Sequence, residues 1–145
     1  GFKVVIDYAH TPKALEQAIL SLRPYFGGSL TTVFGCGGNR DKSKRSEMGR
    51  VACEASDEVI ITSDNPRDES PERILDDIQS GCYKKINRIS DRREAIFFAI
   101  NQAKTGDCIL IAGKGHEEVQ IFDDAEVRFS DFECARDALD LRSSQ

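Results

Sequence analysis

The chain has no tryptophan and only two histidines, and its five cysteines are odd in number and never spaced as C-x-x-C. Each shortage closes off a class of chemistry. His10 and His116 lie far apart with no paired cysteines nearby, so neither a zinc site nor a nucleophile–base pair is indicated. Cys36, Cys53, Cys82, Cys108 and Cys134 suggest no disulfide framework, and we expect reduced thiols filling core space in a cytoplasmic protein. No apolar run approaches the roughly eighteen residues of a membrane span and no signal peptide opens the chain, so no membrane partner is expected. Positive charge is also scarce. With 20 Lys and Arg against 25 Asp and Glu, the net charge of -5 argues against a nucleic-acid-binding surface. Neither G-x-x-x-x-G-K-[ST] nor G-x-G-x-x-G occurs, which removes the usual backbone cradles for ATP and dinucleotides.

What is present is a regular alternation of strand and helix over 145 residues, enough for one domain that buries its own core. Strands are expected at Phe2 to Ile6, Leu30 to Phe34, Val59 to Thr62, Ile86 to Ile89 and Cys108 to Ala112. Between them fall helices opened by Thr11-Pro12, by the end of a glycine-rich loop, by Ser70-Pro71 and by Asp91 with Glu94. Cys108-Ile109-Leu110-Ile111-Ala112 is apolar without alternation, as a parallel strand covered on both faces should be. The tail differs: Val119 to Phe122, a turn at Asp123-Asp124-Ala125 and Val127 to Phe129 predict a hairpin. A last helix capped by Ser130 and Glu133 follows, with Ala135, Ala138 and Leu139 inward. The pattern predicts an α/β fold: a three-layer, Rossmann-like domain over residues 1–145, with a mostly parallel sheet and an antiparallel hairpin near the C-terminus. Gly1-Phe2-Lys3 leads straight into a strand without an initiating methionine, so a domain cut from a longer protein is expected, its missing part upstream.

Four polar loops follow strands and should share one sheet edge, where open α/β folds place their ligand crevice. They are Asp7-Tyr8-Ala9-His10-Thr11-Pro12, Gly35 to Lys42, Ser63 to Arg67 and Gly113-Lys114-Gly115-His116-Glu117. In the third, Pro66 keeps Asn65 out of the helical region, so Arg67 should leave a stiff turn in a set direction, suited to gripping a carboxylate. Gly113 to Glu117 can offer a carboxylate to an ammonium, so the two charged ends of an amino acid would both be answered. The glycines of the second loop, beside Arg40 and Lys42, fit either anion contact or a sharp turn into a helix. Asp7 and His10 can face a nucleotide or simply order their loop, and no residue set in the chain reads as a metal site.

In sequence and order these four loops, with Lys44-Arg45, closely resemble the C-terminal domain of Mur ligases, and within them the members that add meso-diaminopimelate. The match covers nearly the whole chain. It departs from the family pattern at Asn39, where aspartate is common, at Ser46, where proline is common, and at Glu118-Val119, near a frequent tyrosine. The resemblance implies an ATP-dependent acid–amino-acid ligase of peptidoglycan synthesis, whose N-terminal UDP-sugar domain and central ATPase domain lie outside this chain. ATP would phosphorylate the D-glutamate carboxylate of UDP-MurNAc-L-Ala-D-Glu, and the amine of diaminopimelate would displace phosphate to give the amide. The central domain would hold most of the ATP and the Mg2+, and this fragment alone would be inactive. By the same resemblance Arg40, Asp64, Asn65 and Arg67 form the diaminopimelate site with Gly113 and Glu117, the last two taking the distal ammonium, while Asp7 and His10 face the nucleotide. The alternative is a self-sufficient module that binds an acidic amino acid or nucleotide by itself.

Overall fold

The computed structural model describes residues 1–145, and its elements run in strict alternation before the tail. They are β1 (Lys3–Asp7), α1 (Pro12–Leu22), β2 (Leu30–Phe34), α2 (Ser43–Ala55), β3 (Glu58–Ile61), α3 (Pro71–Gln79), β4 (Asn87–Arg88), α4 (Arg92–Gln102) and β5 (Cys108–Ala112). Then come β6 (Val119–Phe122), β7 (Ala125–Arg128) and α5 (Asp131–Ser143), and a single 3-10 turn, Arg23–Tyr25, follows α1. The first five strands form one parallel sheet in the order β1-β5-β2-β3-β4. The three-layer expectation holds, and period-two side-chain alternation shows why. Leu110 and Ala112 of β5 join Leu15, Ile19, Met48, Val51, Ile74 and Ile78 beneath α1, α2 and α3, while Ile109 and Ile111 join Ala95, Ile96, Ala99 and Ala135 beneath α4 and α5.

Caps account for several helix starts. Thr11, Asp91 and Ser130 each accept the backbone N–H three residues on, from Ala14, Glu94 and Glu133. Ser70 stands at the N-cap of α3 but makes no such side-chain bond; its carbonyl accepts from Arg73 and Ile74, and Pro71 in the first turn has no N–H to satisfy.

Two further expectations are corrected. The hairpin turns at Asp123-Asp124, with Asp123 at φ +48°, so Ala125 already pairs with Phe122, and the hairpin is a sheet of its own, bridged through Phe122 to Arg67 in the loop after β3. Leu139 is 37% exposed rather than inward. The inner stripe of α5 runs through Cys134, Ala135 and Ala138 and ends at Arg142, whose guanidinium donates to the Ile100 carbonyl and lies 4.7 Å from the centre of the Phe2 ring. That stripe leaves Leu139 on the outer side.

Candidate functional site

Inserting β5 between β1 and β2 brings the loops after β1, β5, β2 and β3 side by side. They enclose a cleft of about 390 Å³ whose walls include His10, Arg40, Asp64, Arg67, Gly113 and Glu117, so residues far apart in sequence share one space. The remaining two predicted residues sit behind or beside it. Asp7 is exposed and its Oδ1 accepts the Ala9 N–H at 2.8 Å, ordering the loop that presents His10; His10 Nδ1 lies 3.0 Å from the Tyr8 carbonyl. Asn65 is buried, and its side-chain oxygen accepts from Lys114 Nζ at 2.9 Å and from the Ile121 N–H at 3.1 Å.

The glycine-rich loop owes its composition to close approach between backbones. A Cβ on Gly35 would lie 2.1 Å from the Thr62 carbonyl oxygen, and one on Gly38 would lie 1.7 Å from that of Pro66. Any side chain there would drive the second loop off the third. With the loops in contact, the Gly38 N–H donates to the Asn65 carbonyl at 2.7 Å and Arg67 Nη1 donates to the Gly38 carbonyl at 2.9 Å. Asn39 completes the seam with a left-handed backbone, φ +55°, that asparagine tolerates; its N–H donates to Glu69 and its Nδ2 to Asp68.

Arg67 is aimed by something the sequence did not announce. Its backbone is left-handed, φ +52°, a conformation costing a non-glycine residue about 1 kcal/mol or more. The hairpin holds it there: the Arg67 N–H donates to the Ile121 carbonyl at 2.9 Å, and the Asp123 N–H donates to the Arg67 carbonyl at 2.7 Å. Pro66 restricts the approach to the turn, but β6 sets the direction of the guanidinium. The Gly38 carbonyl is its sole partner within the chain, which leaves the rest of the fork for the cleft.

Behind the walls lie charges that sequence reading passed over. Lys114 is fully buried between the glycines of the fourth loop, with Nζ 3.3 Å from Glu117 Oε1 and 3.8 Å from Asp64 Oδ1. Asp64 abuts Gly113, where φ is +117° and a Cβ would come within 2.8 Å of Asp64 Oδ2. Burial pushes the Asp64 carboxyl above its ordinary pKa, against the opposing pull of Arg92 and Lys114. Arg92 and Asp131 form a wholly buried pair, Nε to Oδ1 at 2.7 Å and Nη2 to Oδ2 at 2.8 Å. The same guanidinium donates to the carbonyls of Ser63 at 3.0 Å and Ala112 at 3.1 Å, the residues just before Asp64 and Gly113. Arg45, buried in α2, donates to Glu69, Asp77 and the Gly37 carbonyl. Arg45 and Lys114 stood in the sequence as members of the motifs that carry the family resemblance, but their buried roles left no local signal beyond the placement of Arg45 three residues before Met48 on the inner face of α2.

The Arg45 hydrogen bond holds the Glu69 carboxyl down to about 2, with help from the Asn39 N–H and against some desolvation. Unfolded, the group titrates near its ordinary 4.5, so the stabilisation is complete above about pH 4.5 and is lost as pH falls toward 2. Glu69→Gln should therefore flatten the stability profile between those limits, as read by urea midpoints at successive pH values. Parallel acid limbs for variant and parent would refute the assignment.

Nowhere in the chain do three His, Cys, Asp or Glu side chains meet as a metal-ligand set, and no helix is long and apolar enough to cross a membrane. Arg40 and Arg67 line the cleft together with Asp64 and Glu117, so groups suited to an anion and to a cation share one space.

Known proteins resemble this chain in sequence and in fold. The UDP-N-acetylmuramoyl-L-alanyl-D-glutamate--2,6-diaminopimelate ligase of Gloeobacter violaceus is 51% identical over 144 residues, covering 98% of this chain and 29% of that protein. The ligase of the same name from Thermosynechococcus vestitus is 52% identical over 144 residues, again 98% of this chain and 29% of its own length. A solved structure of a ligase of that name superposes with a TM-score of 0.93 at 43% identity, covering 97% of this chain and 30% of that one. The chain therefore spans about 29% of the length of these curated relatives. A family model described as Mur ligase, glutamate ligase domain, matches residues 1–115, and with that match the chain belongs to the Mur ligase family.

Proposed function

We propose that this chain is the amino-acid-binding domain of an ATP-dependent ligase that joins meso-diaminopimelate to UDP-MurNAc-L-Ala-D-Glu in peptidoglycan precursor synthesis, in the cytoplasm. The observation that carries the reading is the meeting of Arg67 and Glu117 on the walls of one cleft of about 390 Å³. On this reading Arg67, Arg40 and the Asn65 amide hold the distal carboxylate, while Glu117, Asp64 and the Gly113 carbonyl hold the distal ammonium. The other amine of the ligand is left free to attack an acyl phosphate, with phosphate departing as the amide forms. The upstream domains of the same enzyme are the physical partner this requires.

His10, on the cleft wall, and Asp7, which orders its loop, would face the nucleotide. On this reading the central domain of the enzyme holds the Mg2+ and most of the ATP, since this chain encodes no P-loop and gathers no cluster of three ligating side chains. What this domain contributes is selection. L-Lysine lacks the distal carboxylate and would leave Arg67 without an anionic partner, which costs several kcal/mol, on the order of a thousandfold in kcat/KM. Amide formation by the intact enzyme, measured with meso-diaminopimelate and with L-lysine, tests this. Equal kcat/KM values for the two would overturn it.

A further inference from the structure

Lys114 is the one fully buried lysine of the chain, and it links the loops after β3 and β5. Its ammonium reaches Asn65 on the loop after β3 and Glu117 on the loop after β5, with Asp64 close by. The contact with Asn65 determines the sense of that side chain. Asn65 Oδ1 is engaged by two donors, Lys114 Nζ at 2.9 Å and the Ile121 N–H at 3.1 Å, so Nδ2 must occupy the opposite end of the amide. Nδ2 has no hydrogen-bond partner in the chain, yet it is not among the sealed-off polar atoms, of which Arg45 Nε is the sole case. An open donor therefore lies two residues from the Arg67 guanidinium, itself composed of donors alone.

We propose that Lys114 is a specificity-determining positioning residue: by holding Asn65 Oδ1 it leaves Asn65 with only a donor to offer beside the Arg67 guanidinium, so the site takes a carboxylate and disfavours a carboxamide. The inference rests on the amino-acid-binding reading above and deepens it. Both oxygens of a carboxylate accept hydrogen bonds, whereas a carboxamide must set its own NH2 against one of these donors. Rejecting a mismatched polar group in this way is far more selective than excluding one by shape. Lys114 also lies between Asp64 and Glu117, so the pair of carboxylates is kept compatible by a cation that never contacts the ligand's distal acid.

The test compares kcat/KM of the intact ligase for meso-diaminopimelate with that for its monoamide, in which the distal carboxylate is replaced by a carboxamide. The parent enzyme should favour the acid by at least about 100-fold, the size of one lost hydrogen bond to a charged group. Lys114→Met should lower that ratio about tenfold and raise the diaminopimelate KM, while Lys114→Arg, which can still donate to Asn65, should retain most of the ratio. A general loosening of the site would weaken both ligands alike and leave the ratio where it was. If the parent enzyme does not ligate diaminopimelate, the underlying reading fails. If it does, but folded Lys114→Met keeps the parental ratio, the role given to Lys114 is wrong. Should Lys114→Met not fold, the Asn65 side-chain amide resonance of the parent decides: it should shift with diaminopimelate and much less with the monoamide, and equal shifts would overturn the proposal.

Discussion

Arg67→Ala should raise the KM for meso-diaminopimelate by roughly 100- to 1,000-fold in the intact ligase while leaving the KM for ATP within about twofold. The size follows from truncating one side of a charge-assisted contact inside a cleft, which leaves the ligand's acid without its partner. The selectivity follows from the site's construction, because Arg67 has a single bond within the chain, to the Gly38 carbonyl, and removing it disturbs little else. On the proposed reading, preference over L-lysine should collapse together with affinity, since the group assigned to distinguish the two amino acids is the one removed. Arg67→Lys keeps the charge but loses the planar fork, so an intermediate KM is expected. An unchanged KM in Arg67→Ala would remove Arg67 from the site.

The second large effect concerns stability. Asp131→Ala leaves the Arg92 guanidinium buried without a counter-charge, a change worth about 3–5 kcal/mol. For a chain of 145 residues that is a fall in Tm of roughly 10–20 °C. Replacing both members together, with Arg92→Met and Asp131→Leu, should cost less than the single change, because no unpaired charge remains. The double variant still loses the donors that reach the Ser63 and Ala112 carbonyls. It should therefore recover Tm without recovering affinity for the amino acid. Thermal unfolding of the two variants side by side checks this; a double variant less stable than Asp131→Ala would show that the pair stabilises outright.

Much of this protein is legible in its residue order. The uninterrupted apolar run from Cys108 to Ala112 announced a strand covered on both faces, and all five of its residues are buried. Thr11, Asp91 and Ser130 announced helix starts through their short polar side chains, and each makes the expected bond. The turn chemistry of Asp64-Asn65-Pro66 pointed to a stiff loop, and the position of the polar loops after strands pointed to a shared edge. These signals are local, and burial of a strand face or satisfaction of a helix end leaves a periodic or nearest-neighbour trace in the residue order. Leu139 shows where such a trace fails. On spacing it belongs to an inner stripe, but the small residues Ala135 and Ala138 set how α5 lies, and Leu139 falls outside.

By itself, then, the residue order determined the alternating architecture, the edge that carries the cleft and six of its wall residues, His10, Arg40, Asp64, Arg67, Gly113 and Glu117. Only the tertiary structure decided what aims and neutralises them: the hairpin that clamps Arg67, the Lys114 ammonium behind Asn65 and the Arg92–Asp131 pair beneath two loops. The reason is strand order. With β5 seated between β1 and β2, polar side chains separated by 39 to 49 positions become neighbours, and no local pattern records a pairing that exists only once the sheet has formed.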